Sequence, residues 1–209
     1  NLIAIDATCP LVTKVHSEVN KLSKKEHTII MIGHKGHPEV DGTMGQIDDN
    51  SPHSEIHLVE NIEGVEKLNF INSNSLSYVS QTTLSMDDTK KIIDSLKKKY
   101  PSISGPKNDD ICYATQNRQE AVKKMLKQHD LIFVIGSKNS SNSNRLVEIA
   151  KERMVEAILI DDMSNFKKSW LKNKKNIGIT AGASAPEILV QELIREIKKN
   201  KHVLISEIN

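Results

Sequence analysis

Two cysteines, one histidine-glutamate pair and three loops of small polar residues are the places in this sequence whose residue types and spacing could do chemistry. Cys9 stands in "DATCPLVTKVH" and Cys112 in "DDICYATQNRQEAV". Each follows an Asp-led phrase and precedes a stretch of helical patterning, so each thiol is expected where a helix N-terminus favours the thiolate. Pro10, directly after Cys9, suits a first helical position. Thiolates at symmetric positions are what an iron-sulfur cluster takes. Two are too few for a stable four-iron cluster and no local CxxC adds more. Two readings stay open: a third ligand outside this sequence, or a pair of buried free cysteines acting as small hydrophobes.

The stretch "GHKGHPEVDG" (33 to 42) pairs an imidazole with a carboxyl. Pro38 disfavours a helical conformation at His37, and in an extended chain residues two apart share a face. His37 and Glu39 are therefore expected to look into one pocket, the first binding anions and the second carrying a proton. His34 is equally available, and a solvated turn is the alternative. "SQTTLSMDD" (80 to 88), "NSSNSN" (139 to 144) within "GSKNSSNSNR", and "GASAPE" (182 to 187) each place Ser, Thr or Asn before a helix. Ser85 with Asp88 and Ser184 with Glu187 have capping-box spacing. Free hydroxyls at helix N-termini also make anion sites, and three such loops at strand ends would surround a phosphate or diphosphate with donors. The sequence holds no GxxxxGK[ST] and no GxGxxG, which excludes a Walker nucleotide site and a Rossmann NAD site. Electrons, if used, come from elsewhere.

The elements that position these residues alternate between strand and helix. "HTIIMIG" and "DLIFVIG" are β-branched runs ending in Gly, while "MDDTKKIIDSLKKKY" and "APEILVQELIREIKK" carry apolar residues at helical spacing. This predicts an α/β fold with parallel-rich sheets. "YPSISGPKNDD" (100 to 110) reads as the linker, and its two sides repeat one layout. Asp6, Cys9 and Gly33 lie beside Asp109, Cys112 and Gly136, with Cys and Gly separated by 24 residues in both halves. The lysine-rich helix ends "KLSKKE", "SLKKKY" and "REIKKN" read as solvated faces.

Composition excludes several classes. A net charge of +2 and 3% aromatic residues give neither a basic field nor stacking platforms for nucleic acid. No run approaches the ~18 apolar residues of a membrane span, and no signal peptide is visible. Two cysteines in 209 residues fit a reducing, cytoplasmic setting. The start "NLIAIDATCP", without Met and already strand-like, reads as an excerpt from a longer protein.

Together "DATCPLVTKVH", "GHKGHPEVDGTMGQ", "SQTTLS", "CYATQNRQEAV", "GSKNSSNSNRL" and "GASAPE" closely resemble the LytB family of 4-hydroxy-3-methylbut-2-enyl diphosphate reductases, in the family's order and over almost the whole chain. The resemblance implies repeated small α/β domains, three in a clover-like arrangement around one 4Fe-4S cluster held by one cysteine per domain. Residues 1–108 would be the second domain and 109–209 the third. Cys9 and Cys112 match two cluster ligands, and the third lies in an N-terminal domain that this sequence does not contain. His37 resembles a diphosphate-binding histidine, Glu39 the proton-relaying carboxyl and Thr82 the threonine near the substrate's hydroxyl end. Ser140, Ser141, Asn142 and Ser184 resemble the donors that hold the diphosphate.

The implied reaction is a two-electron reductive dehydroxylation of an allylic diphosphate to isopentenyl and dimethylallyl diphosphates, in non-mevalonate isoprenoid biosynthesis. Ferredoxin or flavodoxin would deliver the electrons, and no nucleic acid or membrane would be involved. A piece lacking one cluster ligand would be inactive alone. Two other readings are a non-catalytic phosphate-binding module with buried cysteines and a dehydratase similar to quinolinate synthase. The "HPEVDGTMGQ" and "SKNSSNSNR" stretches match the reductases specifically.

Overall fold

The computed structural model describes residue 3 and residues 5–70, 75–106 and 110–207. They divide into two compact units, Asn1–Cys112 and Tyr113–Asn209. The domain boundary expected between 108 and 109, like Asp109 itself, lies outside the described residues.

In the first unit the order is α1 (Pro10–Ser23), β1 (Thr28–Ile32), α2 (Pro38–Met44), β2 (Glu55–Val59), α3 (Ile62–Lys67), β3 (Leu76–Ser80) and α4 (Met86–Lys99). The three strands form a sheet in the order β2-β1-β3, with both pairings parallel and Ile30 opposite His57 and Tyr78. Parallel pairing requires crossover connections, which the helices supply. The central strand is apolar throughout because both its faces are covered. Ile30 and Ile32 pack with Val65 of α3 and with Ile92 and Leu96 of α4. Ile29 and Met31 pack with Val15 and Val19 of α1 and Val40 of α2.

The second unit repeats the plan with α5 (Tyr113–Met125), β4 (Leu131–Ile135), α6 (Ser141–Glu152), β5 (Glu156–Ile160), β6 (Ile177–Ala181) and α7 (Glu187–Asn200). Two short 3-10 turns, Met163–Asn165 and Lys168–Leu171, replace a helix between β5 and β6. The order is β5-β4-β6, again all parallel. Ile132 and Val134 face Val122 of α5 and Leu146 and Ala150 of α6. Leu131, Phe133 and Ile135 face Leu171 and, on α7, Leu193 and Ile197. The expected parallel α/β architecture is thus present in each unit.

The repeat extends to single hydrogen bonds. The amide of Gly33 donates to the carbonyl of Val59, and that of Gly136 to Ile160. Likewise Gln81 N–H donates to the Ile32 carbonyl and Gly182 N–H to the Ile135 carbonyl. Both strand-end glycines permit a close approach by the following helix. A Cβ on Gly33 would stand 2.6 Å from Val40 Cγ2, and one on Gly136 would strike the side chain of Ser143.

One expectation needs correction and another an addition. The linker read at 100 to 110 is partly ordered sheet edge: Tyr78 N–H donates to the Ser104 carbonyl at 2.9 Å and Ser104 N–H to Leu76 at 3.0 Å. The lysines ending α4 are exposed, as a solvated face requires, but Lys99 is more than a free surface charge. Lys99 Nζ donates to the carbonyls of Val65, Glu66 and Leu68, closing the C-terminus of α3, where exposed carbonyls favour a cation.

Candidate functional site

In both units the residues singled out by sequence fall after the central strand and after the same neighbour of it. In the first unit β1 leads to α2 and β3 to α4, and these two helices cover opposite faces of the sheet. The carboxyl ends of β1 and β3 therefore flank a topological switch point, where open parallel sheets leave a crevice. His37 and Glu39 follow β1, and Thr82 follows β3. In the second unit β4 leads to α6 and β6 to α7, again on opposite faces, with Ser140, Ser141 and Asn142 on the first connection and Ser184 on the second.

A tight turn aims His37. Its amide donates to the His34 carbonyl at 3.2 Å, and Gly36 has a φ of +76°, a conformation glycine takes without Cβ strain. His37 is extended, as Pro38 requires, and it caps α2 by accepting the Glu39 amide on Nδ1 at 3.2 Å. The extended stretch expected through Glu39 does not form, because Pro38 opens a helix instead. Glu39 lies in the first turn of that helix. The His34 amide donates to the buried Gln81 Oε1 at 3.1 Å, while its side chain is exposed.

Glu39 Oε1 accepts the Thr82 amide at 2.6 Å. The Thr82 carbonyl in turn accepts the Cys112 amide at 2.8 Å. The Glu39 carboxyl and the backbones of buried Thr82 and of Cys112, a free cysteine, thus share one hydrogen-bonded frame.

Cys9 is the exposed N-cap residue of α1 and uses no side-chain cap bond, and Cys112 immediately precedes α5. The equivalence read from the repeat therefore holds for their place before a helix. Sequence reasoning missed Asp110, which joins the two cysteine-bearing segments. Its carboxylate accepts the Ser80 amide at 3.2 Å and pairs with Lys14 of α1 at 3.3 Å. Burial pushes this carboxyl above its ordinary range, against the opposing pull of the Ser80 amide and Lys14. Among the described residues no three His, Cys, Asp or Glu side chains gather to hold a metal ion. Two free thiols on adjoining segments suit a group that takes thiolate ligands, as part of a larger ligand set.

In the second unit Ser140 caps α6, accepting the Ser143 amide at 3.3 Å, and Ser141 is the first residue of the helix. Asn142 is 5% exposed, and among the described residues neither its Oδ1 nor its Nδ2 has a hydrogen-bond partner. Burying an unpaired amide costs on the order of 1–3 kcal/mol, so such a group calls for a ligand or water. A Cβ on Gly182 would stand 3.7 Å from Asn142 Nδ2, which puts the amide beside the loop that carries Ser184.

Ser184 is exposed and does not cap α7, whose N-cap is Pro186, whereas Ser85 does cap α4 by accepting the Asp88 amide. Arg118 of α5, also missed, donates through Nε to the carbonyl of Ala181 at the end of β6. A separate polar cavity of about 530 Å³ lies along α1, lined by Asp6, Thr8, His16, Asn20, Lys21 and others, and holds none of the expected site residues. No helix among the described residues is long and apolar enough to cross a membrane.

The family model described as LytB protein matches residues 1–198. The 4-hydroxy-3-methylbut-2-enyl diphosphate reductase of Nitrosomonas europaea is 55% identical over 210 residues, covering 98% of this chain and 64% of the relative. That of Mannheimia succiniciproducens is 55% identical, covering 95% of this chain and 63% of the relative. Among solved structures, the E-1-hydroxy-2-methyl-but-2-enyl-4-diphosphate reductase from Plasmodium falciparum superposes with a TM-score of 0.85 at 44% identity, over 93% of this chain and 59% of that one. The chain thus spans a little under two thirds of the length of the curated relatives it matches.

Proposed function

The chain belongs to the LytB protein family, and from that membership we propose that it forms the second and third domains of a 4-hydroxy-3-methylbut-2-enyl diphosphate reductase of non-mevalonate isoprenoid biosynthesis. The reaction breaks the allylic C–O bond and forms a C–H bond. It consumes two electrons and two protons and releases the hydroxyl as water, giving isopentenyl or dimethylallyl diphosphate. The observation that carries this reading is the frame in which Glu39, Thr82 and Cys112 share consecutive hydrogen bonds of 2.6 and 2.8 Å.

Cys9 and Cys112 would hold a 4Fe-4S cluster together with a third cysteine outside this sequence. Such a cluster, when bound, supplies single electrons to the substrate, with ferredoxin or flavodoxin as their source. Glu39 is tied to the Thr82 amide through one carboxylate oxygen. Its other oxygen can carry a proton to the leaving hydroxyl, with the Thr82 hydroxyl orienting the group. His37 uses Nδ1 as a helix cap, which leaves Nε2 for the diphosphate. Ser140, Ser141 and Ser184 offer donors at helix starts, and the buried, unpaired amide of Asn142 supports a diphosphate oxygen as its missing partner. A cytoplasmic location agrees with this chemistry, which needs a reducing compartment.

The test is anaerobic iron and sulfide analysis with Mössbauer spectroscopy on the natural protein, together with turnover of the allylic diphosphate. The reading expects about four irons per chain, their loss in Cys112→Ser, and formation of both products. An iron-free protein that is indistinguishable from its Cys112→Ser variant would leave a phosphate-binding module instead.

A further inference from the structure

The segment carrying Cys112 is held at two points two residues apart. Asp110 Oδ2 accepts the amide of Ser80, the last residue of β3, at 3.2 Å. The Cys112 amide donates to the Thr82 carbonyl at 2.8 Å. Residues 110 to 112 therefore run beside residues 80 to 82, and the second contact shares Thr82 with Glu39. Asp110 also has a charged partner, since Oδ1 meets Lys14 Nζ at 3.3 Å. Lys14 sits just over one turn into α1, the helix that Cys9 opens.

The Asp110 carboxylate is 3% exposed. A buried carboxylate is costly unless paired and hydrogen-bonded, and this one spends both oxygens on groups that fix the cysteine segment. Lys14, with its side chain 47% exposed, can turn to solvent if its partner is lost. The amide of Ser80, a residue only 4% exposed, has less freedom to do so.

We propose that Asp110 is the positioning residue for Cys112: its buried carboxylate clips the thiol-bearing segment to the end of β3 and, through Lys14, to the helix that follows Cys9. The proposal rests on the reading that Cys112 is a cluster ligand. In this role Asp110 acts through the segment it holds.

The test uses the natural protein, first freed of iron by anaerobic chelation and then reconstituted. In the iron-free state, hydrogen exchange at the Cys112 amide and the labelling rate of its thiol report the clip directly. Asp110→Ala is expected to speed both by about tenfold or more while the amides of Ile30 and Val79 in the sheet keep their protection. Asp110→Asn keeps one oxygen for Ser80, so it is expected to restore most of the protection, and reconstituted Asp110→Ala is expected to show an altered cluster EPR signature. If Asp110→Ala does not fold, Asp110→Leu, which fills a similar space but offers Ser80 no acceptor, replaces it and is expected to speed labelling of Cys112 alone. Unchanged exchange and labelling in the variant that folds overturn the proposal. Loss of iron in Cys112→Ser with unchanged exchange at position 110 variants overturns the positioning role alone, whereas iron retained in Cys112→Ser overturns the reading beneath it.

Discussion

Nδ1 of His37 accepts the amide of Glu39 at 3.2 Å, and this single contact decides which ring nitrogen carries the proton. A nitrogen that accepts an N–H bond has none of its own, so the neutral ring is the Nε2–H tautomer. Nitrogen-15 spectra of the natural protein are expected to show that tautomer for His37. His37→Asn, which still caps a helix well, should leave α2 intact and weaken binding of the allylic diphosphate by about tenfold to hundredfold, the loss of a hydrogen bond to a charged group. Unchanged binding in that variant would remove His37 from the diphosphate site.

Glu39→Gln separates holding from proton transfer. The amide oxygen can still accept from Thr82 N–H, as the carboxylate does at 2.6 Å. The side chain no longer delivers a proton, and single-turnover rates are expected to fall by about 10²–10⁴. Substrate affinity should change only a few-fold by comparison. A variant that turns over normally would leave the proton to another group.

Gly136→Ala tests the close approach at the end of β4. The added methyl would strike the Ser143 side chain, whose Cβ lies 2.8 Å from the new atom, so no rotation of the hydroxyl alone relieves it. Chemical denaturation should show a loss of about 1–3 kcal/mol in the second unit. Combining it with Ser143→Gly should recover part of that loss.

Asp130 gives the second unit part of its acid sensitivity. The amides of Asn176 and Lys175 donate to its carboxylate at 2.9 and 2.8 Å and hold it below its ordinary range. Because the folded value is depressed, the stabilisation is present above the ordinary carboxylate value and is lost as pH falls through the depressed folded one. In Asp130→Asn, melting temperature is expected to be lower at neutral pH and to vary less below pH of about 4 than in the wild type. Parallel melting curves for both proteins across that range would contradict this role.

Much of the fold is legible in the sequence because its signals are local. The β-branched runs ending at Gly33 and Gly136, and the equal spacing from each cysteine to each glycine, are short-range patterns, and both units keep them. What escapes such reading is set from a distance or by a competing local rule. Asp110 meets Lys14 across 96 residues, so nothing near "DDICYA" announces it. Ser184 has the capping-box spacing, yet the helix starts only after Pro186. Pro38 does impose an extended His37, but the same ring opens α2 at once and sets Glu39 by helical geometry rather than by strand alternation.

The glycine that ends each central strand also acts as a ruler. Counting six residues on from Gly33 arrives at Glu39, and six on from Gly136 arrives at Asn142, while the fourth positions are the two caps, His37 and Ser140. The same two backbone sockets therefore hold titratable side chains in one unit and permanently neutral ones in the other. Proton exchange at the sixth position is thus open to the first unit, where Glu39 is held by the Thr82 amide, and closed to the second, where the buried Asn142 amide has no proton to give up at ordinary pH.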